Sequence, residues 1–113
     1  MMFGFGKKTS KYENIDAGEF QELMKDKDVV VLDVRTPAEK AEGTIPGYKM
    51  INLMSPDFAN QVSQLDKSKK YLVYCRSGNR SRQACQIMAG MGFENLYNLV
   101  GGIGAWNSMK RYA

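Results

Sequence analysis

Tyr71-Leu-Val-Tyr-Cys-Arg-Ser-Gly-Asn-Arg-Ser-Arg82 is the stretch on which the reading of this chain turns. Tyr71 to Tyr74 combine aromatic and aliphatic side chains, the composition of a short buried strand. The run ends on Cys75 and passes into a cationic loop that contains Gly78. From Gln83 to Met91, apolar residues at Ala84, Ile87, Met88 and Met91 follow a helical spacing. Cys75 is therefore expected at a strand-to-helix turn.

The first N–H groups of a helix lack an internal partner and the aligned peptide dipoles place partial positive charge there, so such a turn favours an anion. A thiol held there beside Arg76 and Arg80 is expected to ionise more readily than a free cysteine at ~8.5, and the thiolate is the nucleophile. The plain alternative is a strand-end cysteine buried as a small hydrophobe. Arg76, Ser77, Gly78, Asn79 and Arg80 are a poor way to finish a structural strand, but they suit a nest of N–H groups around a negative atom.

Composition narrows the chemistry. With 113 residues, 43% hydrophobic and 25% charged, the chain has the usage of one folded domain able to bury a core without disulfides or metal. No apolar run approaches the ~18 residues of a membrane span, so no membrane association is expected. The net charge of +4 comes from Lys and Arg scattered along the chain, which argues against nucleic acid and suits small anionic substrates. Histidine is absent, which removes a Cys–His dyad, a histidine base and a His-ligated zinc. Cys75 and Cys85 follow no metal-binding spacing, and neither metal nor cofactor is expected. Cys85 reads as a core residue of the helix after the loop; its alternative role is a resolving thiol against an oxidised or persulfidated Cys75.

In chain order, residues 1–11 read as an N-terminal tail and 12–113 as the domain. Phe3 and Phe5 either fold back on it or stay loose. The charges of the tail follow a very short apolar patch, unlike a secretory leader, so a cytoplasmic location is expected. Asp16 with Glu19 forms a capping box and Ile15 with Phe20 a hydrophobic staple, predicting a helix from Ala17. Val29 to Leu32 reads as a central parallel strand, closed by Asp33-Val-Arg35. Thr36-Pro-Ala-Glu39 predicts a short helix ended by Gly43. Lys49 to Leu53 reads as a strand, Ser55-Pro-Asp-Phe58 as a helix start with Ser55 as cap, Asn95 to Val100 as a last strand, and Ile103, Trp106 and Met109 as the apolar face of a last helix. Strands alternating with helices predict an α/β domain with a mainly parallel sheet and helices on both faces. Ligands of such sheets bind beyond the carboxyl ends of the strands, where Cys75 is expected.

Cys75-Arg-Ser-Gly-Asn-Arg80 resembles the active-site loop of single-domain rhodaneses, which are sulfurtransferases. Asp33-Val-Arg35, Glu39 and Gly43-Thr-Ile-Pro-Gly47 resemble that family's N-terminal signature, and Gly101-Gly-Ile-Gly-Ala-Trp106 its C-terminal one. The family usually has histidine where this chain has Thr44. The resemblance implies a three-layer domain around a mainly parallel five-stranded sheet. It implies that Cys75 carries a persulfide, that Arg76, Ser77, Gly78, Asn79 and Arg80 bind the substrate, and that Asp33 and Arg35 support the site through ion pairs with Glu39 or Glu42. The expected donor is thiosulfate or another sulfane sulfur, and the acceptor is cyanide or a thiol such as thioredoxin or glutathione.

Two other readings stay open. A rhodanese-like module can bind a partner or carry sulfur to it without broad turnover. Cysteine-dependent phosphatases also use a cysteine in an arginine-bearing loop, but they resemble Cys-x5-Arg, whereas Arg80 follows Cys75 after four residues.

Overall fold

The computed structural model describes residues 8–9 and 11–112. Along the chain run β1 (Lys8–Thr9), β2 (Tyr12–Ile15), α1 (Ala17–Leu23), β3 (Val29–Asp33), a 3₁₀ turn (Pro37–Glu42), β4 (Lys49–Met50), α2 (Phe58–Ser63), β5 (Lys70–Tyr74), α3 (Asn79–Gly90), β6 (Asn95–Leu99) and α4 (Gly102–Arg111). The sheet order is β1-β2-β6-β5-β3-β4. Five strands run parallel, as expected, and β1 adds a sixth, antiparallel edge. Phe3 and Phe5 lie outside the described residues, whereas Lys8–Thr9, within the stretch read as a tail, pairs with Glu13 and Tyr12.

Strand alternation divides the core into two layers. Tyr71, Val73 and Cys75 face the side covered by Phe58 and Val62 of α2 and Ala84, Cys85 and Met88 of α3. Leu72 and Tyr74 face the side covered by Ala17 and Phe20 of α1 and Ile103 and Trp106 of α4. The rings of Phe20 and Trp106 meet edge to face at 6.1 Å, joining α1 to α4. No helix is long and apolar enough to cross a membrane among the described residues.

Local signals placed most element ends. Asp16 caps α1 by accepting the Glu19 N–H at 2.8 Å. The capping box at Thr36 and Glu39 forms, on a 3₁₀ turn that Gly43 ends. Four expectations need correction. The strand read from Lys49 to Leu53 is confined to Lys49–Met50. Ser55 does not cap α2: it accepts the Asp57 N–H at 3.1 Å in a preceding turn, and the helix begins at Phe58. The helix after Cys75 begins at Asn79, so Asn79 and Arg80, read as loop residues, belong to its first turn. Ile87 is 42% exposed, and the buried face of α3 is instead Ser81, Ala84, Cys85, Met88 and Ala89.

Topology explains where a site forms. From β3 the chain moves outward to β4, whereas from β5 it moves the other way to β6. The loops after β3 and β5 therefore diverge, and open α/β sheets bind ligands in such a crevice.

The loop after β3 is anchored by a buried ion pair. Asp33 and Arg35 are both fully buried, with Arg35 Nη2 2.8 Å from Asp33 Oδ2 and Nε 3.0 Å from Oδ1. Arg35 also donates to the Glu39 and Gly43 carbonyls at 3.1 and 2.8 Å, while the Tyr74 hydroxyl donates to Asp33 Oδ2 at 2.8 Å. Removing one member of a buried pair leaves the other charge uncompensated. Asp33→Ala is expected to destabilise the fold by about 3–5 kcal/mol, read as a lower denaturant midpoint at unchanged m-value.

Candidate active site

Cys75 lies one residue beyond β5 and is 1% exposed. The chain then turns through Gly78, whose φ of +105° is open to glycine at no steric cost, and enters α3. This turn brings N–H groups onto the sulfur: Gly78 N is 3.1 Å from Sγ, and the Ser81 hydroxyl, from the first full turn of α3, is 3.4 Å away. Burial pushes the Cys75 thiol up, but hydrogen bonds from the Ser81 hydroxyl and from the N–H groups of Ser81, Gly78 and Ser77 outweigh it, leaving the pKa below its ordinary value.

The loop is braced from behind by α4. Ile103 N donates to the Cys75 carbonyl at 2.9 Å. A side chain at Gly102, which has φ +59°, would put its Cβ 2.5 Å from that same carbonyl oxygen and inside contact with the Arg76 carbonyl. Gly102 thus supplies both a left-handed turn and the close approach of two backbones.

Arg76 and Arg80 of the loop each meet a glutamate. Arg80 is held by Glu39 in a bidentate pair at 2.8 and 2.7 Å, so its guanidinium faces a carboxylate instead of standing free over the sulfur. That pair, with the Thr36 N–H and hydroxyl, lowers the Glu39 pKa to about 2. Arg76 Nε lies 3.5 Å from Glu42, with its side chain largely in solvent. Asp33 and Arg35 make their ion pair with each other; Glu39 and Glu42 reach the loop arginines. Arg35 nevertheless fixes the segment that carries both glutamates, through the Glu39 and Gly43 carbonyls.

Ser77 and Asn79 are exposed and, with Gly78, Arg82, Asn14 and Asn98, line a cavity of about 320 Å³ beside the loop. Cys85 is fully buried in the α3 core, where burial pushes its thiol up to about 12. Sequence reasoning passed over Ser81, Asn98 and Asn14. Ser81 Oγ donates to Asn98 Oδ1 at 2.5 Å, and Asn98 Nδ2 donates to Asn14 Oδ1 at 2.9 Å. A polar residue at position 98 in an apolar strand was the available signal.

Two outcomes follow from this geometry. Gly102→Ala is expected to displace the loop, raising the Cys75 pKa and slowing its alkylation at neutral pH while the far-UV spectrum stays native. Glu39 has a folded pKa below its unfolded value, so its pair with Arg80 contributes stability that is complete above about pH 4.5 and is lost as pH falls toward 2. Glu39→Gln should flatten the melting temperature over that acid window.

Comparison with known proteins agrees with this architecture. Residues 16–109 match the model of the rhodanese-like domain. The chain is 41% identical over 86 residues to a sulfurtransferase of Allochromatium vinosum, covering 76% of this chain and 78% of that one. It is 32% identical over 97 residues to the thiosulfate sulfurtransferase GlpE of Coxiella burnetii, covering 86% and 89% of the two chains. A rhodanese-related protein from Thermoplasma volcanium has the same fold, with TM-score 0.74 and 31% identity over 85% of this chain and 91% of that one. With a match over most of its length and a cysteine-bearing loop at the switch point of a parallel sheet, the chain belongs to the rhodanese-like domain family.

Proposed function

We propose that the protein is a thiosulfate sulfurtransferase that works through a persulfide on Cys75. The observation that carries this reading is a cysteine at the end of a central strand whose sulfur is met by the Gly78 N–H and the Ser81 hydroxyl. The Cys75 thiolate attacks the outer sulfur of thiosulfate; the sulfur–sulfur bond of the donor breaks and sulfite leaves with its electron pair. The persulfide then gives its terminal sulfur to cyanide or a thiol, and the Cys75 thiolate returns. Splitting the transfer this way is covalent catalysis and gives double-displacement kinetics.

In this reading the loop N–H groups between Arg76 and Arg80 accept the charge as it moves to the terminal sulfur. Arg76, with its side chain largely in solvent, is the cation that attracts the donor, while Arg80 sets the loop through Glu39. At 1% exposure, Cys75 is reached only when the side chains around the loop move aside. The domain is proposed to work in the cytoplasm, with thioredoxin or glutathione as candidate thiol acceptors.

The engagement of Arg80 by Glu39 also weighs against phosphoryl transfer, because a phosphatase loop needs that guanidinium for the phosphate oxygens. A dedicated sulfur carrier would use the same persulfide but release it to one protein acceptor only.

Incubating reduced protein with thiosulfate is expected to add one sulfur atom to Cys75, seen by intact mass and peptide mapping, and cyanide should remove it as thiocyanate. Cys75→Ser should abolish loading with an unchanged melting temperature. Full sulfur transfer in that variant would sink the mechanism, and loading that cyanide cannot discharge would favour the carrier.

A further inference from the structure

The side of the sheet that faces α3 carries a polar line through an otherwise apolar layer. Asn14 of β2 and Asn98 of β6 are directly paired in register, and Asn98 is paired in turn with Val73 of β5, two residues before Cys75. Asn98 and Ser81 are buried, and the contacts run Cys75 Sγ to Ser81 Oγ at 3.4 Å, Ser81 to Asn98 at 2.5 Å and Asn98 to Asn14 at 2.9 Å.

Ser81 has one hydroxyl hydrogen and two acceptors in reach, the sulfur and Asn98 Oδ1. It cannot serve both. With the hydrogen directed at Asn98, the shorter of the two contacts at 2.5 Å, Oγ lone pairs are left toward the sulfur, which suits a thiol that donates its own S–H. A thiolate needs the opposite arrangement, and the amides permit it. If both carboxamides turn over, Asn14 donates to Asn98 Oδ1, Asn98 Nδ2 donates to Ser81 Oγ, and Ser81 donates to the sulfur. Each buried group keeps a partner in both directions, so neither charge state leaves an orphan, whose cost would be about 1–3 kcal/mol. Asn14 lines the surface cavity, so its amide can turn against solvent.

We propose that Asn98 and Asn14 are positioning residues for Cys75, forming with Ser81 a hydrogen-bond relay whose direction reverses when the thiol gives its proton to solvent. The proposal rests on Cys75 being a reactive thiolate, as above, and adds how the protein matches both forms by turning two side-chain amides. Persulfide formation moves the charge to the outer sulfur, which leaves the inner sulfur a weaker acceptor of the Ser81 hydrogen.

Other groups around the sulfur titrate or carry charge. From α3 these are Arg80, which holds Glu39 of the 3₁₀ turn, and Cys85; Arg82 lines the cavity beside Asn14, and Arg76 with Glu42 lies at the loop. β6 and β2 present the two amides, and α4 presents Gly102 and the Ile103 N–H.

The test is the pH midpoint for iodoacetamide alkylation of Cys75, mapped by peptide, in a double-mutant cycle. Asn98→Asp can accept but not donate once ionised, so it holds the Ser81 hydrogen away from the sulfur. The midpoint should rise by about one unit, equivalent to a roughly tenfold slower reaction at pH below both midpoints. Ser81→Ala should raise the midpoint as well, and Ser81→Thr should restore it. In the Ser81→Ala background, Asn98→Asp should raise the midpoint less than half as much, the remainder being the through-space effect of the added carboxylate. An equal shift with and without the hydroxyl, or none at all, overturns the relay. If Asn98→Asp does not fold, half-buried Asn14→Asp carries the same cycle, with a smaller rise expected and the same dependence on Ser81 required. Alkylation uses no sulfur donor, so failure of thiosulfate to load the protein would count against the proposed function alone.

Discussion

A guanidinium with no exposure to water survives only where carboxylate and carbonyl oxygens replace its hydration, and Arg35 meets that condition through Asp33, Glu39 and Gly43. Much of the architecture around the site hangs on this one arrangement. Asp33 ends β3, Tyr74 ends β5 and donates to the same carboxylate, and the Tyr74 oxygen accepts the Ile45 N–H at 3.2 Å. The strand ends and the whole segment from Pro37 to Ile45 are thereby fixed relative to one another. Glu39 is carried on that segment, which is how a buried pair on one side of the sheet sets the position of Arg80 on α3.

The sulfur presents the converse problem. Taking a thiolate out of water is unfavourable, and Cys75 is nearly buried; N–H and O–H donors, not a bare cation, offset the cost. Cys85 shows what happens without them. It sits on the same helix as Ser81, in the same apolar layer as Cys75, and burial, with a smaller push from the nearby Cys75, raises its pKa to about 12. Two cysteines ten residues apart thus have opposite chemistry, decided by donors within hydrogen-bond reach. Arg76 and Arg80 of the loop are each met by a glutamate.

Close backbone approach is the third constraint. The Cys75 loop leans on the first turn of α4, and the contact exists because Gly102 has no Cβ. Glycine at position 78 turns the chain into α3 so that Ser81, rather than a residue further along the helix, comes under the sulfur.

What the sequence determined by itself was whatever depends on neighbours a few residues apart. The apolar run Tyr71 to Tyr74, the caps at Asp16 and Thr36, the helical spacing around Trp106 and the Cys-Arg-Ser-Gly-Asn-Arg loop are local patterns, and the α/β order and the place of Cys75 followed from them. No local mark shows where α3 starts, because Gly78 enters the helix without a capping side chain. Only the tertiary structure decided the partners. Arg80 and Glu39 are 41 residues apart, and Asn98 and Asn14 are 84 apart, so no spacing rule links them. They meet because β2, β6, β5 and β3 lie side by side in an order the chain does not follow, and hydrogen bonds form between groups that are close in space, whatever their separation along the chain.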